Sequence, residues 1–151
     1  MGRAAMKWIY HDGGRADAGY RWRAGDCVTR AVAIATGIPY REVYDALNAH
    51  AERERGTKSR NGRRVKSSAR TGVFKQTTRS YITGLGWKWI PTMQIGSGCK
   101  VHLRAEELPP GRLIVQVTRH VVAVIDGVAY DTHDPSRDGT RCVYGYYVQT
   151  C

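Results

Sequence analysis

The sequence predicts an α+β fold, with N-terminal helices packed on a C-terminal antiparallel β-sheet. Three observations carry this. Apolar residues at helical spacing fall between residues 27 and 85. The strong strand runs, Leu113–Val117, His120–Ile125 and Val128–Thr132, all come later. Asp126-Gly127, between the last two runs, is a type I′ hairpin signal. The length of 151 residues fits one domain, 1–151, large enough to bury a core. No internal repeat is found.

In chain order, a short strand is expected near Lys7–Tyr10. Gly25-Asp26 then supplies the cap of a first helix over about 27–36, with Asp26 the better capping residue. Val28, Ala31, Val32, Ile34 and Ala35 leave that helix little polar surface, so it belongs in the core, and Gly37 stops it. Pro39 opens a second helix, where its missing N–H costs nothing. Val43, Ala46 and Leu47 form its apolar stripe, and it ends by Gly56. Residues 57–72 carry positive charge, no acid and almost no apolar anchor, which reads as a mobile basic loop. A third helix is expected near 75–84, closed by Gly84 and Gly86. Beyond it, Trp87–Pro91 is a strand candidate, Lys100–Leu103 a weaker one, and Cys142–Val148 closes the sheet. Ala105–Leu108 reads as one helical turn.

The composition is that of an ordinary globular protein. No apolar run is long enough to span a bilayer, and the N-terminus lacks the apolar region of a signal peptide. Four cysteines without CxxC spacing are therefore expected as free thiols in a cytoplasmic protein. The net charge of +11 favours an acidic partner, either nucleic acid or an acidic protein. Lys58, Arg60, Arg63, Arg64, Lys66 and Arg70 of the basic loop are the candidate contacts. That loop has no aromatic platform for stacking recognition. Cys99-x-x-His102 has metal-ligand spacing, but a second pair is missing, so neither a metal nor a cofactor is expected. Trp87, Trp89, Tyr144, Tyr146 and Tyr147 lie on strand candidates and read as sheet packing rather than a ligand cage.

The chemistry-bearing stretch is Asp26-Cys27-Val28-Thr29-Arg30-Ala31. It sets a cysteine on the first turn of an apolar helix, where the helix dipole favours thiolate over thiol. Far downstream, His120 opens an apolar strand. A cysteine on a helix N-terminus with a distant strand histidine is the layout of a thiol hydrolase: Cys27 as nucleophile, His120 as base. A third group must orient the histidine. A two-residue turn pairs Ile125 with Val128 and sets His120 opposite His133, with Asp131 diagonal on the same face and Asp134 on the other. Asp131 is the first choice, Asp134 the alternative and His133 the third. Asp134-Pro135-Ser136-Arg137 is also a turn signature.

These segments resemble papain-like cysteine peptidases. Asp26-Cys27-Val28-Thr29-Arg30-Ala31 is similar to the Asp-Cys-Gly-x-x-Ala helix start of bacteriocin-processing peptidase domains, and His120 to Gly127 resembles their histidine strand. Asp131-Thr132-His133 resembles the papain-type Asn-Ser-Trp, and Asp134-Pro135 the exporter-type Asp-Pro. With Gly86-Trp87-Lys88-Trp89-Ile90-Pro91-Thr92-Met93 and Arg141-Cys142-Val143-Tyr144-Gly145-Tyr146 as recurring stretches, the whole chain also resembles a family of small bacterial and phage proteins. The resemblance implies a papain-like fold and a Cys-His-Asp hydrolase acting on a peptide or protein substrate, as a peptidase, isopeptidase or amidase. In an amidase acting on cell-wall peptides, His133 would take the third role. Where the family has a Gln that helps to hold the oxyanion, this chain has Arg21, and Val28 replaces the usual Gly after the cysteine. Arg21 and the Cys27 backbone N–H are the candidate oxyanion donors. The alternative is a catalytically weak or inactive fold of this type that binds nucleic acid or an acidic protein through its basic loop.

Overall fold

The structure is a computed structural model that describes residues 6–20, 25–54, 57–58, 64–70, 72–94 and 96–149. Its three helices are α1 (Cys27–Thr36), α2 (Tyr40–Ala51) and α3 (Lys75–Gly84). A six-stranded sheet runs in the order β1 (Trp8–Tyr10), β7 (Val128–Asp131), β6 (His120–Ile125), β5 (Arg112–Val117), β8 (Val143–Gln149), β4 (Trp87–Pro91). The architecture is α+β, as predicted.

The sheet is mixed, not antiparallel throughout. β1 pairs with β7 in parallel, Trp8 against Ala129, while the other pairings in this sheet are antiparallel. The alternation of side chains explains why β5 and β6 read as unbroken apolar runs: both faces are covered. Ile114, Val121 and Ala123 meet α1 and its neighbours on one face. Leu113, Val115, Val117, Val122 and Val124 pack with Leu103 and Leu108 on the other.

α1 is buried nearly all round, and its small residues Ala31, Ala33 and Ala35 allow close approach. Gly37 ends it in the left-handed conformation with φ 79°, which glycine adopts without steric cost. α2 buries Val43 and Leu47, with Ala46 half-buried. The turn between β6 and β7 has positive φ at both Asp126 and Gly127, as a type I′ turn requires.

Two further expectations are corrected, on the Asp26 cap and on the cysteines. Asp26 stands at the N-cap position of α1, but its carboxylate makes no capping bond, because tertiary partners take it instead. The described parts of 57–72 are paired and anchored. β2 (Thr57–Lys58) pairs with β3 (Arg64–Val65), and Ala69 donates to Asn48 and accepts from Thr29. The cysteines are not all free thiols: Cys99 and Cys142 form a disulfide. Residues 99–102 meet the entrance of β8 through a bridge between His102 and Cys142, with the two cysteine Cα atoms 5.8 Å apart, inside the range for such a bond. Among the described residues Cys27 is the free cysteine. Among the described residues no helix is long and apolar enough to cross a membrane.

Candidate active site

α1 starts at Cys27, β6 starts at His120 and β7 ends at Asp131, so three element termini converge. His120 Nε2 lies 2.5 Å from Asp131 Oδ2. His120 and Val121 line the same cleft as the Cys27 sulfur, close enough for the imidazole and the Val121 backbone N–H to act on the thiol. With Nε2 held by Asp131, Nδ1 is the imidazole nitrogen left for the thiol. Asp131 uses its other oxygen, Oδ1, to accept the Thr132 N–H at 2.7 Å.

The charges are mutually supporting. Burial pushes the Cys27 thiol up, but the hydrogen bond and charge of His120, the Val121 N–H and the nearby Arg30 outweigh it and hold it below an ordinary thiol. Burial alone would lower His120; its bonds to Asp131 and Cys27 instead raise it to about 9. Asp131 follows the same pattern: burial raises it, and His120, the Thr132 N–H and Arg30 bring it below the usual carboxylate value. The three groups therefore favour one another's charged forms: thiolate, imidazolium and carboxylate.

The sequence reading missed Arg30. It sits one turn beyond Cys27, buried, with Nε 3.3 Å from Asp26, one guanidinium nitrogen 2.6 Å from Thr132 Oγ1, and the same nitrogen 3.7 Å from Asp131. The i,i+4 spacing of Asp26 and Arg30 was the available signal. Asp26 also accepts from Tyr40 at 2.7 Å and pairs with Arg15 at 3.1 Å. Burial and this carboxylate push the Tyr40 phenol up, so it remains a donor. A buried network thus ties the start of α1 to the end of β7.

The other candidates stand apart. Asp134 accepts the N–H and hydroxyl of Ser136 and shapes a turn, which removes it as the orienting acid. The exposed His133 has its Nδ1 3.9 Å from Asp131 Oδ1 and its ring 5.2 Å from that of His120, outside the Cys27–His120–Asp131 line. Arg21, Arg60 and Arg63 lie outside the described residues. Lys58 and Arg64 fall in the two-stranded ribbon, while Lys66 and Arg70 are exposed beyond it. Among the described residues, His120, Asp131 and His133 bring donor atoms within 4.8 Å of one another, a metal-like grouping. In that grouping Asp131 hydrogen-bonds His120 through one oxygen and the Thr132 N–H through the other. Cys99 is in a disulfide and His102 contacts Glu107, which dissolves the proposed Cys99–His102 pair.

A cleft of about 450 Å³ opens over Cys27, lined also by His120, Val28, Gln116 and Arg119. Arg119, at the tip of the β5–β6 turn, has φ 54°, an uncommon value for a non-glycine residue. The Gln116 side-chain N–H groups are spent on the carbonyls of Val117 and His120, so this Gln is a brace for the histidine, not a free oxyanion donor. Comparison with family models, curated proteins and solved structures returned no match to this chain.

Proposed function

We propose that this chain is a papain-like cysteine hydrolase that cleaves a peptide, isopeptide or related amide bond with a Cys27-His120-Asp131 triad. The observation that carries the reading is that Cys27 and His120 line one open cleft while Asp131 holds His120 Nε2 at 2.5 Å from behind. In this reaction the Cys27 thiolate attacks the carbonyl carbon and a C–S bond forms. The His120 imidazolium gives its proton to the leaving amine as the C–N bond breaks, leaving a thioester. His120, now neutral, takes a proton from water; the hydroxide attacks the thioester, the acid departs and the thiolate returns. Asp131 fixes the ring orientation and stabilises the imidazolium. The backbone N–H of Cys27, on the first turn of α1, is positioned as an oxyanion donor.

The test is the pH dependence of Cys27 alkylation by iodoacetamide, followed by peptide mass spectrometry, in wild type and His120→Ala. Selective labelling that persists below neutral pH and is lost in the variant supports the reading. Labelling of Cys27 with the pH profile of an ordinary thiol, indifferent to His120, rejects it.

A further inference from the structure

Next to the Cys27 cleft lies a second cavity of about 640 Å³, bounded by α3, β4 and β8. Lys75 and Gln116 line both, so the two spaces share a wall. Trp89 and Tyr144 supply aromatic surface. The Lys75 ammonium lies 5.2 Å from the Tyr144 ring centre, and the Arg79 guanidinium 5.0 Å from that of Trp89. The aromatic strand residues that the sequence suggested were packing alone therefore split. Trp87 is buried in the core, Tyr147 is buried yet borders this space, and Trp89 and Tyr144 are only partly covered and face it.

The charges on α3 are arranged against helix stability. Lys75 is its first residue, at the positive end of the helix dipole, and no acidic residue occupies the first turn. Arg79 follows four residues later, so two cations face each other on one side of the helix, a repulsive spacing. Among the described residues no carboxylate pairs with either. An anion in the cavity would relieve both penalties, and the ring faces would cover the apolar part of the group that carries it.

We propose that this cavity is a substrate subsite for a carboxylate-bearing peptide group, held by Lys75 and Arg79 against Trp89 and Tyr144 beside the bond that Cys27 attacks. The inference rests on the hydrolase reading and adds the substrate class to it. The carboxylate has two possible sources, an acidic side chain within a peptide or a free peptide C-terminus.

The experiment uses three chloroacetyl peptides of otherwise identical sequence: one with Glu and an amidated C-terminus, one with Gln and an amidated C-terminus, and one with Gln and a free C-terminus. The rate of Cys27 labelling is followed by intact-protein mass spectrometry for wild type, Arg79→Gln and Lys75→Gln. A carboxylate probe is expected to label wild type about tenfold faster than the neutral one, with the ratio falling towards one in either variant and at high salt. The faster of the two carboxylate probes names the source. Equal rates for all three, while chloroacetamide itself still labels Cys27 faster than free cysteine, overturn the subsite and leave the hydrolase reading intact. Failure of chloroacetamide to label Cys27 faster than free cysteine instead overturns the hydrolase reading. Binding of the same peptides without the chloroacetyl group to Cys27→Ala then decides the cavity. A carboxylate preference abolished by Arg79→Gln upholds it, and the absence of a preference overturns it.

Discussion

His120 Nε2 and Asp131 Oδ2 sit 2.5 Å apart although the β6–β7 ladder ends at Ala123 and Tyr130. The contact is a diagonal one made beyond the last β6–β7 pair, between residues whose backbones are paired outward, Asp131 to Tyr10 of β1 and His120 to Val117 of β5. It leaves one imidazole nitrogen for Cys27 and stabilises the charged ring. Removing the base should therefore abolish the low-pH reactivity of the thiol. In His120→Ala, Cys27 alkylation at pH 6 is expected to slow by a factor on the order of 100, the ratio between a mostly ionised thiol and an ordinary one. Rates measured from pH 5 to 9 check this.

Asp131→Asn and Asp134→Asn should separate cleanly. The first removes the charge that raises His120, so the imidazolium is lost at a lower pH. The second alters a turn held through Ser136 and should leave the His120 titration where it was. NMR titration of the His120 ring reads both outcomes.

The raised His120 also makes a signed contribution to stability. Its folded value of about 9 exceeds the ordinary histidine value of 6.5, so the folded state binds this proton more tightly. The stabilisation is fully present below 6.5 and is lost as the pH rises through about 9. Denaturation midpoints of wild type should fall across that window, and those of His120→Ala should fall less.

Arg30 is buried between Asp26 and Asp131. Arg30→Met would take one of several partners from each carboxylate and leave Thr132 without its donor, at an expected loss of about 1–3 kcal/mol in urea unfolding. Arg30→Lys should rescue little, because one ammonium does not reproduce the planar fork that reaches Asp26 and Thr132 together.

Gly145 has no room for a side chain. A Cβ there would lie 2.4 Å from the Trp89 ring and 2.8 Å from the Ile90 carbonyl oxygen. Gly145→Ala should cost about 1–3 kcal/mol and displace Trp89 from the cavity wall. Thermal unfolding and Trp fluorescence report the two effects.

What could be read from the chain alone was local. The limits of α1 follow from an apolar run bounded by Asp26 and Gly37. The β6–β7 hairpin follows from two strand runs about Asp126-Gly127, and the diagonal choice of Asp131 over Asp134 follows from strand alternation. Each depends on neighbours a few residues apart, where backbone geometry fixes the outcome. Tertiary structure alone decided the rest. Asp26 left its cap for Tyr40, Arg15 and Arg30 because folding brought those donors to it. Cys99 met Cys142 across 43 residues, β1 joined β7 in parallel, and α3 came to lie against β4 with its two cations over aromatic rings. Such contacts are set by the packing of whole elements, whose relative placement no local pattern encodes.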